Sequence, residues 1–189
     1  MQTERLIMRS WRDSDREPFA EMNANPEVMR YFPALLTRAE SDAAVDRIQA
    51  SIDTNGFGMW AIERIDTGQF IGFVGLAVPR FEAAFTPCVE VGWRLTPEAW
   101  GQGFATEAAR RSLVAGFDEF GLDEIVSMAV VANLPSRAVM ERIGMWHDLD
   151  GDFDHPMVPE GPLRRHVLYR ITRDDHRRFT GPKSGGNTV

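Results

Sequence analysis

Between Cys88 and Phe120 the chain reads CVEVGWRLTPEAWGQGFATEAARRSLVAGFDEF, and its hydrophobic period changes once along the way. From Cys88 to Leu95 apolar and polar positions alternate, which puts Val89, Val91, Trp93 and Leu95 on one face of a strand and Glu90 on the other. From Ala105 onward, small or apolar residues recur at 105, 108, 109, 113, 116, 117 and 120, the spacing of a helix with one buried face. The linking segment, TPEAWGQGF, carries Gly101 and Gly103, which let backbone amides approach an anion with no side chain in the way. The start of the helix adds unpaired N–H donors and the positive end of its dipole. A strand that feeds a glycine loop into a helix N-terminus belongs to an α/β fold and suits a phosphate.

The same two periods recur elsewhere. RLIMRSW (5–11) reads as a strand, and DSDREPFAEMNAN as a short helix stopped at Asn25-Pro26. A longer helix begins at Thr37, with Glu40 at the capping-box position, and ends at Asn55-Gly56. GMWAIER and QFIGFVGLAVP form a hairpin around Asp66-Thr67-Gly68. EIVSMAVVA is a strand, PSRAVMERIG a helix with Pro135 in its first turn, and RRHVLYRI a final strand. There is no internal repeat and no interdomain linker, so one domain is expected over 1–172. A C-terminal tail over 173–189 is expected to be partly disordered, above all in GPKSGGNTV from Gly181.

Composition narrows the function. A net charge of −7 argues against a nucleic-acid surface and mildly favours cationic partners. No apolar run approaches the roughly 20 residues of a membrane span. The N-terminus MQTERLIMRSW lacks a signal-peptide hydrophobic region. A single cysteine, Cys88, excludes an internal disulfide. Together these features predict a cytoplasmic protein with neither nucleic-acid nor membrane partners.

The glycine loop has several readings. It can be no more than a tight strand-to-helix turn. As a dinucleotide turn of the G-x-G-x-x-G type it has Thr106 in place of the third glycine, and the acids Asp123 and Glu124 precede the next strand rather than ending it. A triphosphate loop is excluded, because G-K-[ST] is missing. Arg110 and Arg111, at least a turn further on, either screen phosphate charge or form the solvated face of the helix.

The whole arrangement resembles the GNAT superfamily of N-acetyltransferases. That family's pattern Q/R-x-x-G-x-G/A follows its fourth strand and opens a long helix; Gly103 and Ala105 match the last two positions, and Trp100 stands at the first. Its second landmark, N-x-x-S…E-[KR]-x-G beyond the fifth strand, is matched by Asn133, Ser136, Glu141 and Gly144. The opening TERLIMRSWRDSD and the strand VEVGWRL are similar to the bacterial branch that holds ribosomal-protein N-terminal acetyltransferases, and the likeness runs over roughly 3–172. The resemblance implies a mixed, twisted, mostly antiparallel sheet flanked by helices, with strands four and five splayed. Acetyl-CoA would lie in that V as co-substrate, with no metal. Its pantetheine arm would pair with the strand edge from Trp93 to Leu95 and bond Asn133. Its diphosphate would sit on the amides of Gly101, Gln102, Gly103, Phe104, Ala105 and Thr106.

The implied reaction is direct acetyl transfer to a primary amine, either a protein N-terminal α-amine or that of a small molecule. An α-amine, with a pKa of about 7.7–8.0, asks less of a base than lysine at about 10.4. Glu90 is the first candidate base, with a structural pairing to Arg94 on the same face as the alternative. The family's usual tyrosine acid falls at Met140, which leaves Ser136 as acid or as a helix cap. HDLDGDFDHPMVPEG (147–161) crowds five acids and two histidines together. It lacks the glycine and glutamate of a calcium loop and the ligand set of a zinc site, so it reads as a solvated acidic loop. In the family this region borders the acceptor, making Asp154 and His155 base or substrate candidates, with Phe32, Pro33 and the helix at 37–54 as the opposite wall. A non-catalytic acyl-CoA-binding regulator and a nucleotide-binding module stand as alternatives. Either a monomer or a homodimer fits.

Overall fold

The computed structural model describes residues 1–181. Its strands are β1 (Leu6–Arg9), β2 (Met59–Arg64), β3 (Phe70–Ala77), β4 (Glu90–Leu95), β5 (Glu124–Val130), β6 (Trp146–Asp154) and β7 (Arg165–Thr172). Its helices are α1 (Arg16–Ala24), α2 (Arg38–Asn55), α3 (Phe104–Val114), α4 (Leu134–Arg142) and α5 (Arg173–Thr180). The strands form one sheet in the order β1-β2-β3-β4-β5-β7-β6. Every neighbouring pair is antiparallel except β4 and β5, which run parallel.

That parallel junction shapes the molecule. β4 and β5 share one register pair, Glu90 with Val126. The Val126 N–H donates to the Val89 carbonyl and the Ser127 hydroxyl to the Val91 carbonyl, each at 2.9 Å. No ladder follows Val91, so the two strands part, as the resemblance implies.

Alternation along the strands sends two sets of side chains to two helical layers. Val91 and Leu95 of β4, Ile125 and Ala129 of β5, and Val167, Tyr169 and Ile171 of β7 pack with Ala108, Ala109 and Leu113 of α3 and Met140 of α4. The opposite face builds a second cluster from Phe19 and Met22 of α1, Val28 on the connection that follows and Val45 of α2, with Trp11, Phe70 and Phe73 against it. The expected helix signals hold: Thr37 and Glu40 form a reciprocal capping box, and Gly56 ends α2 in the left-handed conformation at φ 75°.

Two expectations need correction. The acidic stretch is not a solvated loop: its first half is the edge strand β6, whose register with β7 breaks between Asp148 and Phe153. Three of the four acids of β6 are held by local partners, Asp148 by Arg170 at 2.6 Å, Asp152 by His147 at 2.7 Å and Asp154 by Arg165 at 3.5 Å. Charged residues suit an edge strand because they discourage further pairing, and this blurs the alternation that marks an inner strand. Residues 173–180, assigned to the tail, form α5, started by a capping box between Thr172 and Asp175. The rest of the expected tail, 182–189, lies outside the described residues.

Candidate active site

α3 begins without a side-chain cap. Its N-cap is Gly103 at φ 82°, and Gly101 before it sits at φ 72°, conformations that a side chain disfavours. The first N–H groups of α3 are therefore left for a ligand or water. The loop is tied from behind. The Arg5 guanidinium donates to the Gln102 carbonyl at 2.9 Å and lies 4.5 Å over the Phe104 ring. A trans peptide points its N–H opposite to its carbonyl, so with the Gln102 carbonyl held toward Arg5, the Gly103 N–H faces away. Arg5 is fixed in turn by Glu107, through Nε at 2.7 Å and its own backbone N–H at 2.9 Å. Thr3 adds a hydroxyl bond to the same carboxylate at 2.6 Å. Nothing in the local pattern of WGQGF reveals this clamp, because its other half lies at the start of the chain.

Trp100, the departure from the family pattern, closes the loop with its indole, which donates to the Leu95 carbonyl at 2.9 Å. The Gln102 side chain turns back to the Glu98 carbonyl. Arg110 and Arg111 are structural: Arg110 bonds the Arg142 carbonyl at 2.8 Å and Arg111 pairs with Glu119 at 2.6 Å.

Along β4, Val89 and Val91 direct their carbonyls toward β5. Strand alternation gives the same direction to Trp93 and Leu95. Past the parting of the strands, the Trp93 N–H and C=O thus face the open V, while the Leu95 carbonyl is occupied by Trp100. Across the V, Asn133 caps α4 by accepting from the Ser136 N–H at 3.2 Å. This uses its Oδ1 and leaves its amide NH₂ free to donate. Ser136 is half-buried and joins that cap through its backbone; its hydroxyl takes no part. Met140, at the family's tyrosine position, is buried in the core.

Glu90 and Arg94 lie on the β4 face turned away from α3. They do not pair. Arg94 Nη1 donates to Asn23 Oδ1 at 2.6 Å, and its guanidinium stacks 4.0 Å from the Phe32 ring. Glu90 is half-buried, and burial pushes its carboxyl up to about 7. Burial and the nearby Glu90 charge raise Cys88 on the same face to about 11, which keeps that thiol protonated and unreactive.

The remaining candidates fall on two walls. Phe32 sits on the connection between α1 and α2, and its neighbour Tyr31 reaches over to donate to the Ala132 carbonyl at 3.1 Å. This segment therefore links the β4 side of the V with the turn that carries Asn133. On the far wall, His155 lies 4.4 Å from the Phe81 ring and 5.0 Å from the His166 ring, with Phe85 and Phe153 closing the group. Burial holds both histidines below the ordinary value, and His166 lowers His155 further. His166 Nδ1 faces the Arg164 carbonyl at 3.0 Å; a carbonyl can only accept, so Nδ1 carries the proton and Nε2 keeps its lone pair. His166 went unnoticed in the sequence because it reads as one position of a strand. It pairs with Val130, and Glu90 with Val126, so the two share one sheet face. Four residues of strand rise and two strand spacings separate them, on the order of 15 Å. Asp154, exposed and paired with Arg165, points elsewhere. Among the described residues no cluster of His, Cys, Asp and Glu could hold a metal ion, and no helix is long and apolar enough to cross a membrane.

Comparison with known proteins bears on this geometry. The family described as Acetyltransferase (GNAT) domain matches residues 5–146. The chain is 31% identical to the FsC-acetyl coenzyme A-N(2)-transacetylase of Aspergillus fumigatus, over 96% of this chain and 80% of that protein. A GNAT acetyltransferase structure from Bacillus anthracis superposes with a TM-score of 0.76 at 26% identity, covering 92% of this chain and 98% of the other. The ribosomal-protein alanine acetyltransferase of Vibrio fischeri shares the fold, with a TM-score of 0.73 at 18% identity over 93% of this chain and 97% of its own.

Proposed function

The chain belongs to the GNAT acetyltransferase family, an acetyl-CoA-dependent acyltransferase on that ground, and from this premise we propose that it acetylates a primary amine of low basicity with Glu90 as the base. One observation carries the reading: a half-buried carboxyl, without a cationic partner among the described residues, whose value of about 7 matches proton abstraction near neutral pH.

The residues present fit acetyl-CoA. The uncapped amides from Gly101 to Thr106 suit its diphosphate, and the Trp93 backbone and Asn133 amide suit the pantetheine arm. Acetyl-CoA supplies the reactive thioester carbonyl. Glu90, directly or through a water, accepts the proton that the substrate ammonium must lose to attack as a neutral amine. The Trp93 N–H donates to the charge that develops on the carbonyl oxygen. The departing thiolate, with a pKa near 8.5, needs at most a weak acid, for which Ser136 or water suffices.

Glu90 also bears on the acceptor. Proton transfer to a group near 7 is uphill by about one unit from an α-ammonium and by about three from lysine. A protein N-terminus or a small α-amine is therefore favoured over lysine, with Phe32 on one wall and His155 and His166 on the other. The unpaired Glu90 favours catalysis over the acyl-CoA-binding regulator. Release of coenzyme A from acetyl-CoA, followed with α-amines, lysine analogues and polyamines, tests the reading. No release above background with any amine, despite acetyl-CoA binding, would return the regulator.

A further inference from the structure

Arg94 is a shielded cation without a counter-ion among the described residues. The residue as a whole is half-buried, and its Nε is cut off from water without a hydrogen-bond partner. Nη1 has only the neutral Asn23 amide oxygen, itself buried. Two aromatic rings, Phe32 at 4.0 Å and Phe73 at 5.4 Å, complete the surroundings. Among the described residues no carboxylate lies within ion-pair distance, in contrast to Arg9, another shielded arginine, which holds both Asp15 and Glu63. Burying a guanidinium unpaired is costly, and a protein that keeps one gains by supplying an anion to it. Burial alone lowers Arg94 to about 10, which still leaves it charged at neutral pH.

Position decides which anion. Arg94 projects from the face of β4 opposite α3, away from the amides of Gly101–Thr106, so it is not placed for the phosphates of the acyl donor. It lies beneath Phe32, on the segment that Tyr31 ties across the V, and on the same strand face as Glu90. We propose that Arg94 receives a carboxylate of the acceptor, making the substrate an amine that carries its own anionic group, a short peptide bound by its α-amine and its C-terminal carboxylate. The proposal deepens the acetyltransferase reading and rests on it. Glu90 and Arg94 are four residues apart, about 13 Å along an extended strand. That span accommodates peptides of up to about four residues better than a single α-amino acid. The two Nη groups of a guanidinium donate to a carboxylate through two parallel bonds, for which a lysine is no substitute.

The test compares free acids with C-terminal amides in a series from alanine to tetra-alanine, with spermidine as a cationic acceptor. Coenzyme A release gives kcat and KM, and calorimetry on the protein saturated with coenzyme A gives binding without turnover. The expected result is a preference for acids over amides of on the order of 10- to 100-fold in wild type, carried by KM and strongest beyond the single amino acid. In Arg94→Met the ratio falls to near one, and in Arg94→Lys it is intermediate. The wild-type ratio alone decides if the variants fail to fold. Equal use of acids and amides, or a preference for spermidine, overturns the inference and leaves the acetyltransferase reading intact. If nothing is acetylated, that reading fails, and calorimetry then judges Arg94 by itself: acids that bind no better than amides overturn it. A loss of coenzyme A affinity in Arg94→Met, with no change in the acid-to-amide ratio, overturns it in favour of a donor contact.

Discussion

Glu90 and Arg94 share one face of β4, two positions either side of Gly92, and each finds something other than the opposite charge beside it. Arg94 turns to Asn23 and Phe32, and Glu90 is left in a shielded setting that raises its pKa to about 7. Because the folded value lies above the ordinary 4.5, ionised Glu90 opposes folding: the cost is absent below about pH 4, grows through the interval and is complete above pH 7. Glu90→Gln is therefore expected to raise the melting temperature at pH 8, by the equivalent of up to about 3 kcal/mol, and to leave it nearly unchanged at pH 4. Turnover of the same variant should fall by roughly 10²–10⁴, less so as pH rises and the amine loses its proton to bulk water. A variant less stable than wild type at pH 8, with an unchanged pH–rate profile, would mark Glu90 as structural.

The clamp behind the glycine loop predicts an effect of a residue that never meets the ligand. Arg5→Ala frees the Gln102 carbonyl, and the acetyl-CoA dissociation constant measured by calorimetry should rise about tenfold. Gly103→Val should weaken binding at least as much, since a side chain at φ 82° costs about 1–2 kcal/mol and must shift the amides. Gln102→Ala should change little, because its side chain faces Glu98. Wild-type affinity in Gly103→Val would refute the assignment of the loop.

Tyr31→Phe keeps the ring and removes the bond to Ala132. The acceptor KM is expected to rise two- to tenfold while the acetyl-CoA affinity holds. Equal changes in both would mean that the segment serves the donor rather than the acceptor.

His155 and His166 are both held below their ordinary 6.5, so the unfolded chain takes up protons first as pH falls. Their contribution to stability is present above about pH 6.5 and is lost as pH drops toward their folded values. Replacing both with Phe should flatten the change in melting temperature between pH 7.5 and 5.5. An unaltered slope would place the acid sensitivity elsewhere.

How much of this could be read from the chain depends on how local each cause is. The turn from β4 to α3 and the capping box at Thr37 follow from neighbouring residues, and they were legible; the parting of the strands came only through the family resemblance. β6 was not, because its charged positions are matched by Arg170, Arg165 and His147, partners invisible to a periodicity argument. α5 was hidden for a related reason: of its eight residues only His176 is buried, so a capping box rather than an apolar face defines it. Glu90 stood out by alternation, but the choice between base and ion pair turned on where Arg94 points, and that is decided by Asn23, 71 residues away.

A sheet that parts in its middle has four edges rather than two. The outer edge at β6 is crowded with acid, which repels an added strand. The inner edge at Trp93 is short, flanked by apolar residues and chemically indifferent to whether its partner is a pantetheine amide or the backbone of another molecule. Under the proposed donor site, donor binding and strand-to-strand association would draw on the same N–H and C=O groups. By mass action, acetyl-CoA bound there as proposed is expected to hold back any such self-association.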